Sequence, residues 1–431
     1  MTDSKRSRGL SVGRVVSAPP QAAPLYAGHA FRLLLGELER HVTVVGTTGS
    51  GKTTTLARLM DAAMAADWSV LVVDAKGGRL AGVCRALGEA HRQPARVWLP
   101  GDSDSWTYDV CSGEPSAVGN RLIGAFDFGR EGQVYRNLSL ALVPLVVKAL
   151  VQSGQPCTLD SLRYSMEETH LAGLARRTVE VELKAELLTM FNNPLHRTAL
   201  AGITGRLRTL RYGVFGPWLL PSPRTLHLGA CLQSPGVTYL GLPATAASED
   251  VALVGRVLIQ HLKQVAYEGL WSDAPHPGLL LFDEFASLGD ATQLVDLLLQ
   301  AREARLAVVV STQQLPRQVE VLRKALLGAG VLIVHQVGAP EDADVLARAL
   351  GSRTAAEVVR NVHLAHAGAT LRRVLRSRET FLIGPDELSR LPVGQAALGV
   401  RFGQQRLAVV QVEPSRISAA TTLPSAAATL S

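Results

Sequence analysis

Short, nearly continuous apolar runs alternate along this chain with longer stretches in which apolar residues return every three or four positions. Runs rich in β-branched residues and bounded by turn formers occupy 42–45, 69–73, 95–99, 236–242, 278–282, 306–312 and 331–337. Apolar side chains at successive rather than alternate positions predict strands buried on both faces. Between them the period changes. Residues 54–66 read as a helix, and 249–268 place Val251, Val254, Leu258, Leu262 and Val265 on one stripe that stops at Gly269. A further helix over 291–305 follows Asp290 as its cap. This alternation predicts an α/β fold with a mostly parallel sheet. From about 133 to 212 only helical periodicity remains, which predicts an all-α domain inserted into the α/β core.

The expected organisation is a flexible N-terminal arm or edge segment over 1–25, an α/β domain over 26–130 and 216–412, the helical insertion over 131–215, and a disordered tail over 413–431. The arm carries Lys5, Arg6, Arg8 and Arg14 and then a Pro/Ala stretch, and the tail is rich in Ser, Ala and Thr. With 431 residues, 47% of them hydrophobic, a sizeable core is feasible. A formal net charge of +7 favours polyanionic partners without choosing among them. Aromatic content of 5% argues against a surface built on stacking unpaired bases and for one that tracks backbone phosphates. Cys84, Cys111, Cys157 and Cys231 have no metal-binding or disulfide spacing, which fits a reducing cytoplasm. The most apolar long run, 138–151, is interrupted by Pro144 and Lys148 and reads as too short to cross a bilayer; no signal peptide is evident, so a soluble chain is expected.

The chemistry starts at Gly46-Thr47-Thr48-Gly49-Ser50-Gly51-Lys52-Thr53, which fills every position of the phosphate-binding pattern G-x-x-x-x-G-K-[ST] between a predicted strand and a predicted helix. Glycines let the backbone curl its N–H groups toward phosphates, and the helix N-terminus adds a favourable dipole that reaches Thr54. Lys52 would place its ammonium between the outer phosphates, and Thr53 would offer its hydroxyl to Mg²⁺. Downstream, the apolar run 279–282 ends in Asp283-Glu284, suited to holding Mg²⁺ through water and to acting as general base. Gln313, past another apolar run, is placed to sense the γ-phosphate. Arg302 and Arg305 sit near a helix end, where cations are ordinarily favoured; the position alone leaves that role open against a trans-acting arginine finger for Arg302. Asp74-Ala75-Lys76-Gly77 falls on the carboxyl edge where open α/β sheets bind ligands. Arg206, Arg208 and Arg211 form the densest basic cluster of the insertion, read as a solvated helix face before a DNA contact.

Arg40-His41, the 46–53 loop, Asp74-Ala75-Lys76-Gly77, Asp283-Glu284, Arg302-Glu303-Ala304 and Thr312-Gln313, in this order, resemble the FtsK/HerA superfamily of ring-forming ATPases. Within it the chain looks most like TraG/TraD-type coupling proteins of conjugative type IV secretion, over about 28–412. The resemblance implies a RecA-like P-loop NTPase core, a homo-hexamer around a DNA channel, ATP and Mg²⁺, and relaxase or secretion-channel partners. It also implies Lys52 and Thr53 for nucleotide and metal, Asp283 for Mg²⁺, Glu284 as base, Arg302 as the trans finger and Gln313 as sensor. Two departures stand out: the family's transmembrane anchor is not evident, leaving recruitment to the membrane to a partner, and Ala75 replaces a usual proline. The function expected is an ATP-driven DNA translocase in conjugative or mobile-element transfer. A HerA-like pump in repair or packaging, and a secretion ATPase moving protein substrates, are the alternatives.

Overall fold

The computed structural model describes residues 9–20, 25–242, 248–272, 274–288, 293–365 and 368–415; side chains are described within these except at 248 and 355–378. The expected tail beyond Ser415 and the helix cap Asp290 lie outside the described residues. The longer strands run, in chain order, β1 (Gly9–Ser17), β2 (Ala30–Leu34), β3 (Val42–Val45), β4 (Ser69–Asp74), β5 (Ala95–Trp98), β6 (Gly236–Gly241), β7 (Gly278–Asp283), β8 (Leu306–Thr312), β9 (Val331–Val334), β10 (Ser352–Ala365), β11 (Gly368–Phe381), β12 (Gln395–Val400) and β13 (Arg406–Val412). The chain divides into two compact units, one formed by 9–56, 312–317 and 326–413 and the other by 57–311, 318–325 and 414–415.

In the first unit the strand order is β2-β1-β13-β12-β9-β3. Only β9 and β3 run parallel; the rest of the row is antiparallel, and the turn between β12 and β13 is short enough that it can only reverse the chain. This flank departs from the mostly parallel pattern expected from sequence. Its inner member, β1, also corrects the expected flexible arm: Gly9–Ser17 pairs on both sides, with β13 and β2. Val12 and Val15 are buried there, which the Pro/Ala composition further along obscured. A core of Val45, Leu332, Val334, Leu346, Leu350, Leu388, Leu407 and Val409 fills the unit's interior. β10 and β11 form a separate antiparallel ribbon whose register runs from Ser352↔Phe381 to Ala365↔Gly368.

The second unit holds the all-parallel row β8-β7-β4-β6-β5. Every residue of β4, β6, β7 and β8 is buried, as the continuous apolar runs require. Register sets Asp74 opposite Asp283, and Asp283 opposite Ser311, so the carboxyl ends of three strands finish level. Between β5 and β6 the chain is mainly helical: α1 (Pro115–Ala125), α2 (Gln133–Gln152), α3 (Leu159–Ser165), α4 (Glu168–Arg177), α5 (Val181–Asn192) and α6 (Pro194–Tyr212). Pro144 does not stop α2, which runs for 20 residues and is long and apolar enough by composition to cross a membrane. The proline ring is received by Gly119 on α1, where an added Cβ would lie 2.8 Å from Pro144 Cγ. Leu142, Val143, Val146, Val147 and Leu150 of α2 are buried.

Candidate nucleotide-binding site

The phosphate loop leaves β3 at Val45 and enters a helix beginning at Lys52 (Lys52–Ala65). It is anchored by backbone bonds: Gly46 N–H donates to Thr312 O at 3.2 Å, Thr47 N–H to Gln336 O at 2.8 Å, and Gly394 N–H to Ser50 O at 3.0 Å. Gly49 and Gly51 take φ of 82° and 112°, values an L side chain rarely adopts. An added Cβ at Gly49 would meet nothing within 4 Å, so the loop's mouth is open there. Lys52 is buried and its ammonium donates to Gly46 O and, at 3.0 Å, to Thr47 O. Thr53, the expected metal ligand, is exposed, while Thr54 is half-buried. Gln313 is brought to the loop: Thr48 Oγ1 donates to its Oε1 at 2.8 Å. An open curl of N–H groups with a lysine ammonium inside and a free-facing threonine fits a magnesium-bound nucleotide.

In the second unit, Asp283 ends the fully buried β7 and Glu284 follows it; both are buried. Glu284 has φ of 54°, the left-handed region, a strained placement of the kind that collects at functional sites. The Asp74 turn lies beside it. Asp74 Oδ1 accepts from the N–H of Lys76 at 2.9 Å and of Gly77 at 3.2 Å, while Oδ2 accepts the Tyr239 hydroxyl at 2.7 Å. Burial, and next the Asp74 charge, push the Tyr239 phenol well above its ordinary value, so it remains a donor. Ala75 N–H donates to Asp283 O at 3.1 Å. These bonds bring Lys76 Nζ to 3.9 Å from Glu284 Oε2. The sequence marked Asp74 and Lys76 for their edge position; Tyr239, two residues before the end of an apolar strand, carried no signal.

Arg302 stands in a turn rather than in a helix, because the preceding helix (Gln293–Ala301) ends four residues earlier than expected. The chain reverses at Arg305, whose φ is 59° and whose N–H bonds Arg302 O at 3.1 Å. Arg302 is exposed. The basic cluster of α6 is engaged with protein: Arg206 donates to Asp127 O at 3.1 Å, Arg208 to Glu167 at 3.1 Å and Arg211 to Asp160 at 2.9 Å.

Two family models match parts of the chain, one described as "Helicase HerA, central domain" over residues 31–78 and one as "TraM recognition site of TraD and TraG" over 277–393. The first spans the phosphate loop and the Asp74 turn; the second begins at the strand carrying Asp283. Among solved structures, the bacterial conjugative coupling protein TrwBdeltaN70 in its unbound monoclinic form aligns over 95% of this chain and 94% of its own, at a TM-score of 0.64 and 18% identity. The chain shares the fold of this coupling protein. The resemblance to TraG/TraD-type coupling proteins of the FtsK/HerA superfamily therefore holds, with the RecA-like P-loop core and its helical insertion. Plasmid coupling protein TrwB in complex with ADP and Mg²⁺ gives a TM-score of 0.62 at 18% identity, covering 89% of this chain and 87% of that one. VirB4 of Thermoanaerobacter pseudethanolicus gives 0.54 at 14% identity, covering 94% and 97%. Among curated proteins none matches.

Proposed function

We propose that this chain is an ATP-driven DNA translocase, a coupling-protein-like motor in conjugative or mobile-element DNA transfer. The observation that carries it is a preformed phosphate loop, with Gln313 held on it by Thr48, in a chain that shares its fold with TrwB along 95% of its length. Residues 46–54 would cradle the phosphates; Lys52 would exchange its loop carbonyls for phosphate oxygens; Thr53 and Asp283 are the residues that would hold Mg²⁺. Bound there, the metal would supply neutralisation of phosphate charge. Glu284 takes the proton of the attacking water, and Lys76 restrains its carboxylate until then. Arg302, exposed and outside any helix, stabilises charge on a neighbouring subunit's nucleotide in a homo-hexamer, and Gln313 reports γ-phosphate loss. The excess of basic residues suits a polyanionic cargo such as a DNA backbone. In this reading 26–130 and 216–412 form the motor and 131–215 the inserted domain. The motor works in the cytoplasm, recruited to the inner face of the membrane by a partner, with relaxase or secretion-channel proteins among its partners.

The HerA central-domain match favours a second reading, a DNA pump in repair or packaging. Both require the same assay: ATP hydrolysis by the purified protein at low salt, with and without duplex or single-stranded DNA. Several-fold stimulation that fades as salt rises is expected. Hydrolysis indifferent to DNA would favour a protein-moving ATPase instead.

A further inference from the structure

Beneath the phosphate loop lies a buried histidine that the G-x-x-x-x-G-K-[ST] pattern does not call for. His335 directly follows β9, and its N–H donates to Val45 O at 2.8 Å, which sets the residue level with the point where the loop leaves β3. Its Nδ1 lies 3.0 Å from Gln395 O, a carbonyl that can only accept, so Nδ1 carries the proton. Nε2, 2.9 Å from Thr55 Oγ1, then accepts from that hydroxyl. Thr55 stands three residues past Lys52 in the first turn of the loop's helix. The same imidazole forms the floor under two loop glycines. A Cβ added at Gly46 would lie 2.6 Å from His335 Cβ, and one at Gly51 would lie 3.4 Å from His335 Cε1 and 3.1 Å from Gly394 Cα. Burial chiefly, with the nearby Lys52 charge adding to it, lowers this histidine to about 4, so the neutral tautomer that makes both bonds persists at working pH.

We propose that His335 is a positioning residue of the nucleotide site: it ties the first turn of the loop helix to the strand β12 and seats Gly46 and Gly51, so that the phosphate cradle is preformed. The proposal rests on the nucleotide-binding reading above. A preformed cradle spares the ordering that a loose one undergoes on binding, so losing the tie weakens binding more than it slows chemistry.

The test is titration of the full chain with the magnesium complex of a non-hydrolysable ATP analogue, together with steady-state hydrolysis. His335→Leu should raise Kd and KM about tenfold to a hundredfold, the worth of two buried hydrogen bonds, with kcat within about threefold. His335→Gln, whose amide spaces its donor and acceptor much as the two ring nitrogens are spaced, should restore most of that loss. Thr55→Val, which removes only the bond to Nε2, should weaken binding by less than His335→Leu, and the double variant should be no weaker than His335→Leu, since the leucine has already removed the Thr55 bond. Wild-type affinity in folded His335→Leu, or in Thr55→Val should the leucine variant not fold, overturns the proposal. So does a loss in His335→Gln equal to that of leucine. Absence of binding by the wild type itself, matched by Lys52→Ala, would instead remove the nucleotide reading on which the proposal stands.

Discussion

Replacing His335 with glutamine takes a titrating base out of a buried place while keeping an amide that reaches Thr55 and Gln395. Burial lowers the imidazole from 6.5 to about 4 in the folded protein. In the pH range between those values the unfolded chain takes up a proton that the folded one refuses. The stability this group supports is therefore complete above 6.5 and is lost as pH falls through that value toward about 4. At about 1.36 kcal/mol per unit of difference, lowering the pH from about 8 to about 5 costs the wild type about 2 kcal/mol through this residue, and about 3 kcal/mol by about pH 4. His261 and His276, also lowered chiefly by burial, act in the same direction, so the quantity to read is the difference between wild type and variant. Urea unfolding at about pH 8 and about pH 5 supplies it, with the shift in midpoint converted through the slope. The His335→Gln protein should lose about 2 kcal/mol less than the wild type over that interval. Parallel losses in the two proteins would refute the burial argument.

Glu284→Gln should bind ATP as the wild type does while turnover falls by about two to four orders of magnitude, measured by pairing analogue titration with a phosphate-release assay; undiminished turnover would remove Glu284 as base. Arg302→Ala should leave nucleotide affinity of isolated subunits unchanged and lower assembled hydrolysis by about a thousandfold or more. Mixing that variant with Glu284→Gln should regain activity, because some boundaries then pair an intact base with an intact arginine. Tyr239→Phe removes the hydroxyl bonded to Asp74 at 2.7 Å and should cost about 1–3 kcal/mol in urea unfolding; an unchanged midpoint would remove that bond from the account.

What the sequence made legible was local. Residues 46–53 specify their own turn through fixed spacing, and Asp283-Glu284 sit at the end of an apolar run that can only be a buried strand. The parallel rows around β4, β7 and β8 followed from the same runs. The antiparallel flank did not, because β12 mixes alanine, glycine and glutamine with a single valine, and the short apolar run of β13, set between arginine and glutamine, does not show its direction until it pairs. The β10–β11 ribbon was missed for another reason: arginines interrupt its apolar residues, although the alternation through Val358, Val359, Arg360, Asn361, Val362, His363 and Leu364 has a strand's period in part. Pro144 was read as a break, yet Gly119 on a neighbouring helix leaves room for its ring. His335 and Tyr239 owe their roles to contacts across 280 and 165 residues of sequence, which no short pattern can encode.

The most direct test of a motor driven by this nucleotide site is displacement of a third strand from triplex DNA by the assembled protein. Displacement should require hydrolysable ATP, disappear with Glu284→Gln, and weaken as salt rises. Brisk DNA-stimulated hydrolysis with the third strand left in place would contradict translocation.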